Sequence, residues 1–262
     1  MIETAWVQWL PVLGITMLRP LGALLLVPVF NPATLGGALV RNALVLMIAL
    51  PALPLHETWP AFSVPNRTFV DYLWIGCAEL CVGLLIGFCA AVPFWVLDMA
   101  GFLIDTMRGA SMATMLNPLL GLQSSLFGVL FSQIFALLFL VLGGFNALLE
   151  AIYASYETLP PGAVFRFNAD ALWFIGHQWQ LMYELCLRFA MPATGAALLV
   201  DMALGLLNRS AQQLNVFFLA MPIKSAFALL MMIMCVGFAF QLPLGEIAQL
   251  RDRITHLMGM SR

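Results

Sequence analysis

Apolar residues along this chain gather in long runs separated by short polar intervals. The runs lie at roughly 6–30, 42–55, 69–104, 126–153, 171–207 and 213–243. Segment 126–153 exceeds the about 20 residues that cross a bilayer, and so does 214–240. Segment 42–55 is short and holds Pro51, so it reads as one arm of a hairpin with 6–30 across the turn NPATLGGALVR. Pro93, Pro192 and Pro222 fall inside three further runs, and each is expected to kink or break a helix. The intervals HETWPAFSVPNRT (56–68) and YETLPPGAVFRFNAD (156–170) read as short polar loops. The pattern predicts an all-α protein of hydrophobic helical hairpins with Pro-broken helices. It is read as a single domain over 1–262: an N-terminal hairpin (1–68), central helices (69–155), and C-terminal hairpins with a tail (156–262).

Composition moves that fold into an apolar setting. Of the 262 residues 63% are hydrophobic and 9% charged, with a mean hydropathy of +0.97. Soluble domains carry about a quarter charged residues, so this 28.8 kDa chain has too little polar surface to meet water alone. It must meet lipid, other apolar subunits, or both. The net charge of −2 and the lack of a Lys/Arg cluster argue against nucleic acid. The five cysteines lie inside apolar runs with no CxxC pair, and read as small buried hydrophobes. Glu3 and Arg19-Pro20 do not suit a signal peptide, so the N-terminus reads as retained structure. Arg251, Arg253 and Arg262 in the tail point to a cytoplasmic C-terminus.

Charges within or beside the apolar runs are the candidate functional groups: Glu79, Asp98, Asp105, Arg108, Arg188, Asp201, Arg209 and Lys224. A charge at the bilayer centre costs about 2.5–3.5 kcal/mol on insertion scales, so these must pair within the chain or with neighbours. Asp98 and Asp105 are seven apart on one helical face, and Asp105 and Arg108 are i,i+3 neighbours able to pair locally. Asp201 and Arg209, eight apart, could meet one partner. Structural salt bridges and a polar path or assembly interface both fit this set. Gly76, Gly83 and Gly87 share a helix side, and Gly83-x-x-x-Gly87 predicts close helix contact. His56, His177 and His256 fit no metal spacing, and no catalytic or phosphate-binding motif occurs, so no cofactor and no enzymatic activity are expected.

The stretch DTMRGASMATMLNP (105–118) stands out, with an ion-pair candidate followed by small residues, methionines and an Asn-Pro stop. Three sets of motifs identify it: GFLIDTMRGASMATMLNPLLGLQSSLFG, then YETLPPG, then GLLNRSAQQLNVFFLAMPIKS. With RPLGALLLVPVF and ELCVGLLIGFCAAVPFWVLDMAG, they make the chain similar to the T component of the type III secretion export apparatus. That family is SctT or YscT in injectisomes and FliR in flagella, and the D-x-x-R-G form resembles the injectisome branch. One departure is Gln212, where the family usually reads Ala-Pro-Gln-Leu-Asn; here the segment is Ala211-Gln212-Gln213-Leu214-Asn215, which would let the helix run through.

The resemblance implies a non-enzymatic subunit of an export gate in the bacterial inner membrane. A single T would close a core of several R and S subunits, projecting to the periplasmic side, with U and V components, lipid and substrate proteins in transit as further partners. It also implies that about Arg108 to Gln123 form a plug, with Arg108, Gly109, Met112, Met115, Asn117, Pro118 and Gly121 as its key residues. Glu79, Asp98, Asp105, Arg188, Asp201, Arg209, Asn215 and Lys224 would make interhelical or intersubunit contacts. A stand-alone secondary transporter or channel is the alternative, and an inert scaffold a third reading.

Overall fold

A computed structural model describes residues 2–63, 68–110, 125–163, 169–210 and 216–260. Among these residues the chain is helical without a strand. The longer helices are α1 (Ile2–Leu26), α2 (Ala38–Ala49), α3 (Phe69–Met107), α4 (Leu126–Val141), α5 (Gly144–Thr158), α6 (Ala169–Ser210), α7 (Val216–Ala239), α8 (Gln241–Ala248) and α9 (Leu250–Met260). Residues 1–92, 139–179 and 246–262 form one compact unit, and residues 93–138 and 180–245 a second. By length and composition five helices can cross a membrane, or six if the interrupted pair α4 and α5 makes one span.

In the first unit, α1 and α3 run parallel, because their contacts climb both helices together. A Cβ on Gly22 would lie 2.7 Å from the Leu80 carbonyl, and one on Gly87 2.5 Å from the Ala23 carbonyl. A Cβ on Gly83 would collide with the Arg19 carbonyl. Glycine spacing therefore brings the two backbones into contact, as the Gly83-x-x-x-Gly87 pattern predicts.

This contact places Arg19 against Glu79. Arg19 is 0% and Glu79 3% exposed. Arg19 Nε donates to Glu79 Oε2 (2.8 Å) and Nη2 to Oε1 (2.9 Å), a bidentate pair. Nη2 also donates to the Leu159 carbonyl (2.9 Å) and Nη1 to the Ser155 hydroxyl (3.0 Å). Four of the five guanidinium N–H groups thus find acceptors. The Leu159 carbonyl belongs to the C-cap of α5, where the helix dipole favours a cation. The guanidinium also lies 4.3 Å from the centroid of Tyr156.

Tyr156 settles a cost created by Pro20. Proline lacks the N–H that would bond the carbonyl four residues back, here that of Thr16. The Tyr156 hydroxyl donates to that carbonyl (2.8 Å), so α1 continues through Pro20 with its polar groups satisfied. Trp59 stacks on Tyr156 with ring centroids 5.5 Å apart. Ala61 N–H donates to the Pro161 carbonyl (3.0 Å), and Gly162 sits at φ 87°, where a Cβ would lie 2.5 Å from Ala61 N. The two intervals expected to be polar loops therefore meet, and place Trp59, Ala61, Tyr156 and Leu159 in the core.

Helix α1 packs against α2, which passes into a 3-10 helix over Leu50–Thr58. Tyr153 of α5 donates to the Ile48 carbonyl at the end of α2 (3.1 Å). At the C-terminus, α9 buries Leu250, Ile254, Leu257 and Met258, an i, i+4, i+7, i+8 stripe, and packs on α5. Arg251 reaches Glu150 of α5 at 3.8 Å.

One sequence expectation changes, and one apolar run divides. Segment 126–153 comprises two helices: α4 stops at Val141, and Gly143 at φ 83° turns the chain into α5. Conversely, α3, α6 and α7 run through Pro93, Pro192 and Pro222 without a break. In apolar surroundings a helix keeps its remaining backbone bonds, because no water waits to replace them.

In the second unit, the C-terminal part of α3 meets α4. A Cβ on Gly101 would collide with the Gly128 backbone, so helix axes again touch through glycine. Phe94 and Phe135 pack edge to face at 4.8 Å. Phe131 packs against Phe127, Phe189 and Phe240 with centroids 5.5, 5.2 and 6.3 Å away, tying α4 to α6 and to the residue after α7.

Removing one partner of a buried ion pair leaves the other charge unpaired, a cost of about 3–5 kcal/mol. Arg19→Leu and Glu79→Leu are each expected to lower thermal stability in detergent by amounts of that order. Exchanging the charges (Arg19→Glu with Glu79→Arg) is expected not to restore it, since Glu at position 19 would face the Leu159 carbonyl. Recovery of the melting temperature by the exchange would reduce the network to a simple ion pair.

Candidate functional site

Helix α3 starts and stops by local chemistry. Thr68 caps it: Thr68 N–H donates to Asp71 Oδ2 (2.8 Å) and Asp71 N–H to Thr68 Oγ1 (3.4 Å), a capping box. At the other end Gly109 adopts φ 84°, Gly109 N–H donates to the Thr106 carbonyl (3.1 Å), and Ala110 N–H to the Asp105 carbonyl (3.0 Å). These two bonds are a Schellman stop, which demands a left-handed residue at Gly109. The glycine of D-x-x-R-G is thus a helix terminator.

Helix α4 begins at the other side of residues 111–124. Ser125 is its N-cap, its Oγ accepting from Gly128 N–H (2.8 Å). The next orphan donor, Phe127 N–H, gives its bond to Asp105 Oδ2 (3.2 Å), and Ser125 Oγ also donates to that oxygen (2.7 Å). Asp105 Oδ1 pairs with Arg108 Nη2 at 2.7 Å, the i,i+3 pairing expected from sequence. The Arg108 guanidinium in turn lies 4.4 Å from the centroid of Phe127. Asp105, 6% exposed, therefore bonds both flanks of the central stretch. Its carbonyl closes α3, and its carboxylate caps α4 at the end where the helix dipole favours an anion.

The other candidate residues separate into distinct settings. Asp98 is exposed, with Oδ1 close against Gly128, so it shares with Asp105 the face toward the start of α4. Asp201 of α6 pairs with Lys224 of α7 at 2.5 Å. Arg188 bonds Glu184, one turn back on its own helix, at 2.5 Å on an exposed surface. Arg209 is exposed and has no ion pair among the described residues. Glu79 belongs to the Arg19 network. Met112, Met115, Asn117, Pro118, Gly121 and Asn215 lie outside the described residues. Sequence reasoning passed over Arg19, treating it only as an interruption of an apolar run; a cation inside such a run is itself the signal. It also passed over Ser125, visible only as a serine just ahead of a helix. Among the described residues no group of three His, Cys, Asp or Glu side chains could hold a metal.

The arrangement is structural: most of the candidate charges are paired, glycines bring backbones together, and two helix ends are held at one aspartate. A family model described as "Bacterial export proteins, family 1" matches residues 10–250, and the chain belongs to that family. It is 44% identical to the secretion system apparatus protein SsaT of Salmonella typhimurium over 234 residues, 88% of this chain and 89% of that protein. It is 39% identical to the Yop proteins translocation protein T of Yersinia pestis over 231 residues, covering 86% and 87%. Identity to the flagellar biosynthetic protein FliR of Bacillus subtilis is 30% over 171 residues, covering 64% and 66%.

Gly109 and Gly101 respond differently to a methyl group. Gly109→Ala meets only the Met221 side chain, at 3.5 Å, but is strained at φ 84°. It is expected to cost about 1–2 kcal/mol. Gly101→Ala drives Cβ into the Gly128 backbone, which cannot swing aside, and is expected to cost more. Thermal unfolding of the two purified variants checks this order.

Proposed function

We propose that this chain is a non-enzymatic export-gate subunit of a type III secretion system in the bacterial inner membrane. It closes a core built with several copies of R and S components, works beside U and V components, and passes unfolded substrate proteins. The observation that carries this reading is the exposed apolar length of α6. At 1.5 Å per residue its 42 residues run about 63 Å, roughly twice the about 30 Å hydrocarbon thickness. Leu172, Met191 and Leu206, near its start, middle and end, are 62%, 64% and 69% exposed. Lipid covers only part of such a helix, and apolar protein is the natural cover for the rest. The exposed Glu184–Arg188 pair points the same way, since a charged pair is better placed against protein or water than against acyl chains. Family membership and the similarity to SsaT and the Yop translocation protein supply the kind of assembly. The projection of the core to the periplasmic side belongs to this proposal as well.

Within that assembly, the segment from Arg108 to Gln123 acts as the plug. Small residues (Ala110, Ser111, Ala113) permit close approach, and Met112 and Met115 supply deformable apolar surface that seals against water yet yields to a passing chain. Asn117, Pro118 and Gly121 shape its second half. The clamp at Asp105 supports this reading by holding fixed both points where the segment leaves the helices.

Deletion of residues 111–120 leaves the Gly109 and Ala110 stop in place and is expected to permit assembly while raising ion leakage across the membrane. Unchanged leakage in an intact complex counts against the plug. Met112→Asp with Met115→Asp is expected to abolish secretion with assembly retained; normal secretion would favour an inert scaffold.

A further inference from the structure

We propose that Asp105 is the positioning residue of the segment that follows it, fixing with its main-chain carbonyl and its carboxylate where residues 111–124 begin and end. This rests on the sealing role proposed for the segment, and extends it to a residue outside the plug. A local ion pair with Arg108 would need only Oδ1. Here Oδ2 is committed across the gap, to Ser125 Oγ and Phe127 N–H, 20 and 22 residues further along the chain. The main-chain carbonyl of the same residue takes Ala110 N–H at the near end. Bringing two points so far apart in sequence together costs chain entropy, and the carboxylate supplies charge-assisted bonds that offset it. Asp105 is buried, with Oδ2 hydrogen-bonded to Ser125 and Phe127 and Oδ1 in an ion pair with Arg108. Arg108 completes it by pairing with the carboxylate and covering the Phe127 ring.

The test uses the full chain in its assembled complex, with amide hydrogen exchange read over residues 105–110 and 125–130, and ion leakage read in the same membranes. Asp105→Ala is expected to speed exchange in the 125–130 window about tenfold, as for a buried amide losing its acceptor, while the 105–110 window, whose acceptors are main-chain carbonyls, stays at the parental rate. Asp105→Asn keeps an oxygen for Phe127 N–H and is expected to fall between the variant and the parent. Leakage is expected to follow the same order with complex composition unchanged. Exchange unaltered in the 125–130 window of Asp105→Ala overturns the proposal, whatever the leakage. If Asp105→Ala does not assemble, the same window in Asp105→Asn decides: parental exchange overturns the proposal and faster exchange supports it. Leakage unaltered by the 111–120 deletion removes the sealing role instead, a result read independently of exchange.

Discussion

An arginine with no solvent contact governs how the first unit is built. Arg19 cannot be buried among apolar helices unless nearly every N–H finds an acceptor, and the acceptors come from two other helices. Glu79 must lie opposite on α3, which requires the backbones to touch, which in turn requires Gly22, Gly83 and Gly87. The Leu159 carbonyl must lie at the end of α5, which brings the YETLPPG turn against Trp59 and Ala61. Hydrophobic burial alone discriminates weakly among ways of packing so apolar a chain. A charge that is costly in every arrangement but one supplies the missing discrimination.

The second unit applies the same constraint at Asp105, with a different result. Arg19 gathers three helices into a core, whereas Asp105 joins the end of α3 to the start of α4, 20 residues further along the chain. In both places a main-chain helix terminus supplies part of the solvation that water would give. Helix ends carry unsatisfied carbonyls or N–H groups, and a buried ion set beside them meets both needs together. Asp201 and Lys224 link α6 to α7 in a different setting, away from the helix ends and with the carboxylate exposed.

Local features were legible in the sequence, and pairings distant along the chain were not. The Gly83 and Gly87 spacing announced close contact, but nothing in it named Gly22 and Ala23 as the other side. The Asp105–Arg108 pair follows from i,i+3 geometry, whereas the bonds to Ser125 and Phe127 span a connection whose path the sequence does not give. Arg19 escaped notice because it stands between Leu18 and Pro20, where it reads as an interruption. The polar intervals at 56–68 and 156–170 looked like linkers because each is unremarkable alone; only together do they bury Trp59 and Tyr156. Proline misled in the other direction, since the Thr16 carbonyl freed by Pro20 finds its donor in Tyr156, 140 residues away. Family motifs supplied the assembly context, which neither hydropathy nor charge could reach.

Membership of a larger apolar assembly can be read from the native mass of the tagged protein, extracted in mild detergent from its own host. The expected result is a single stable particle holding this chain once, with several copies of two small hydrophobic partners. A clean monomer or homodimer, folded and stable alone, would contradict it.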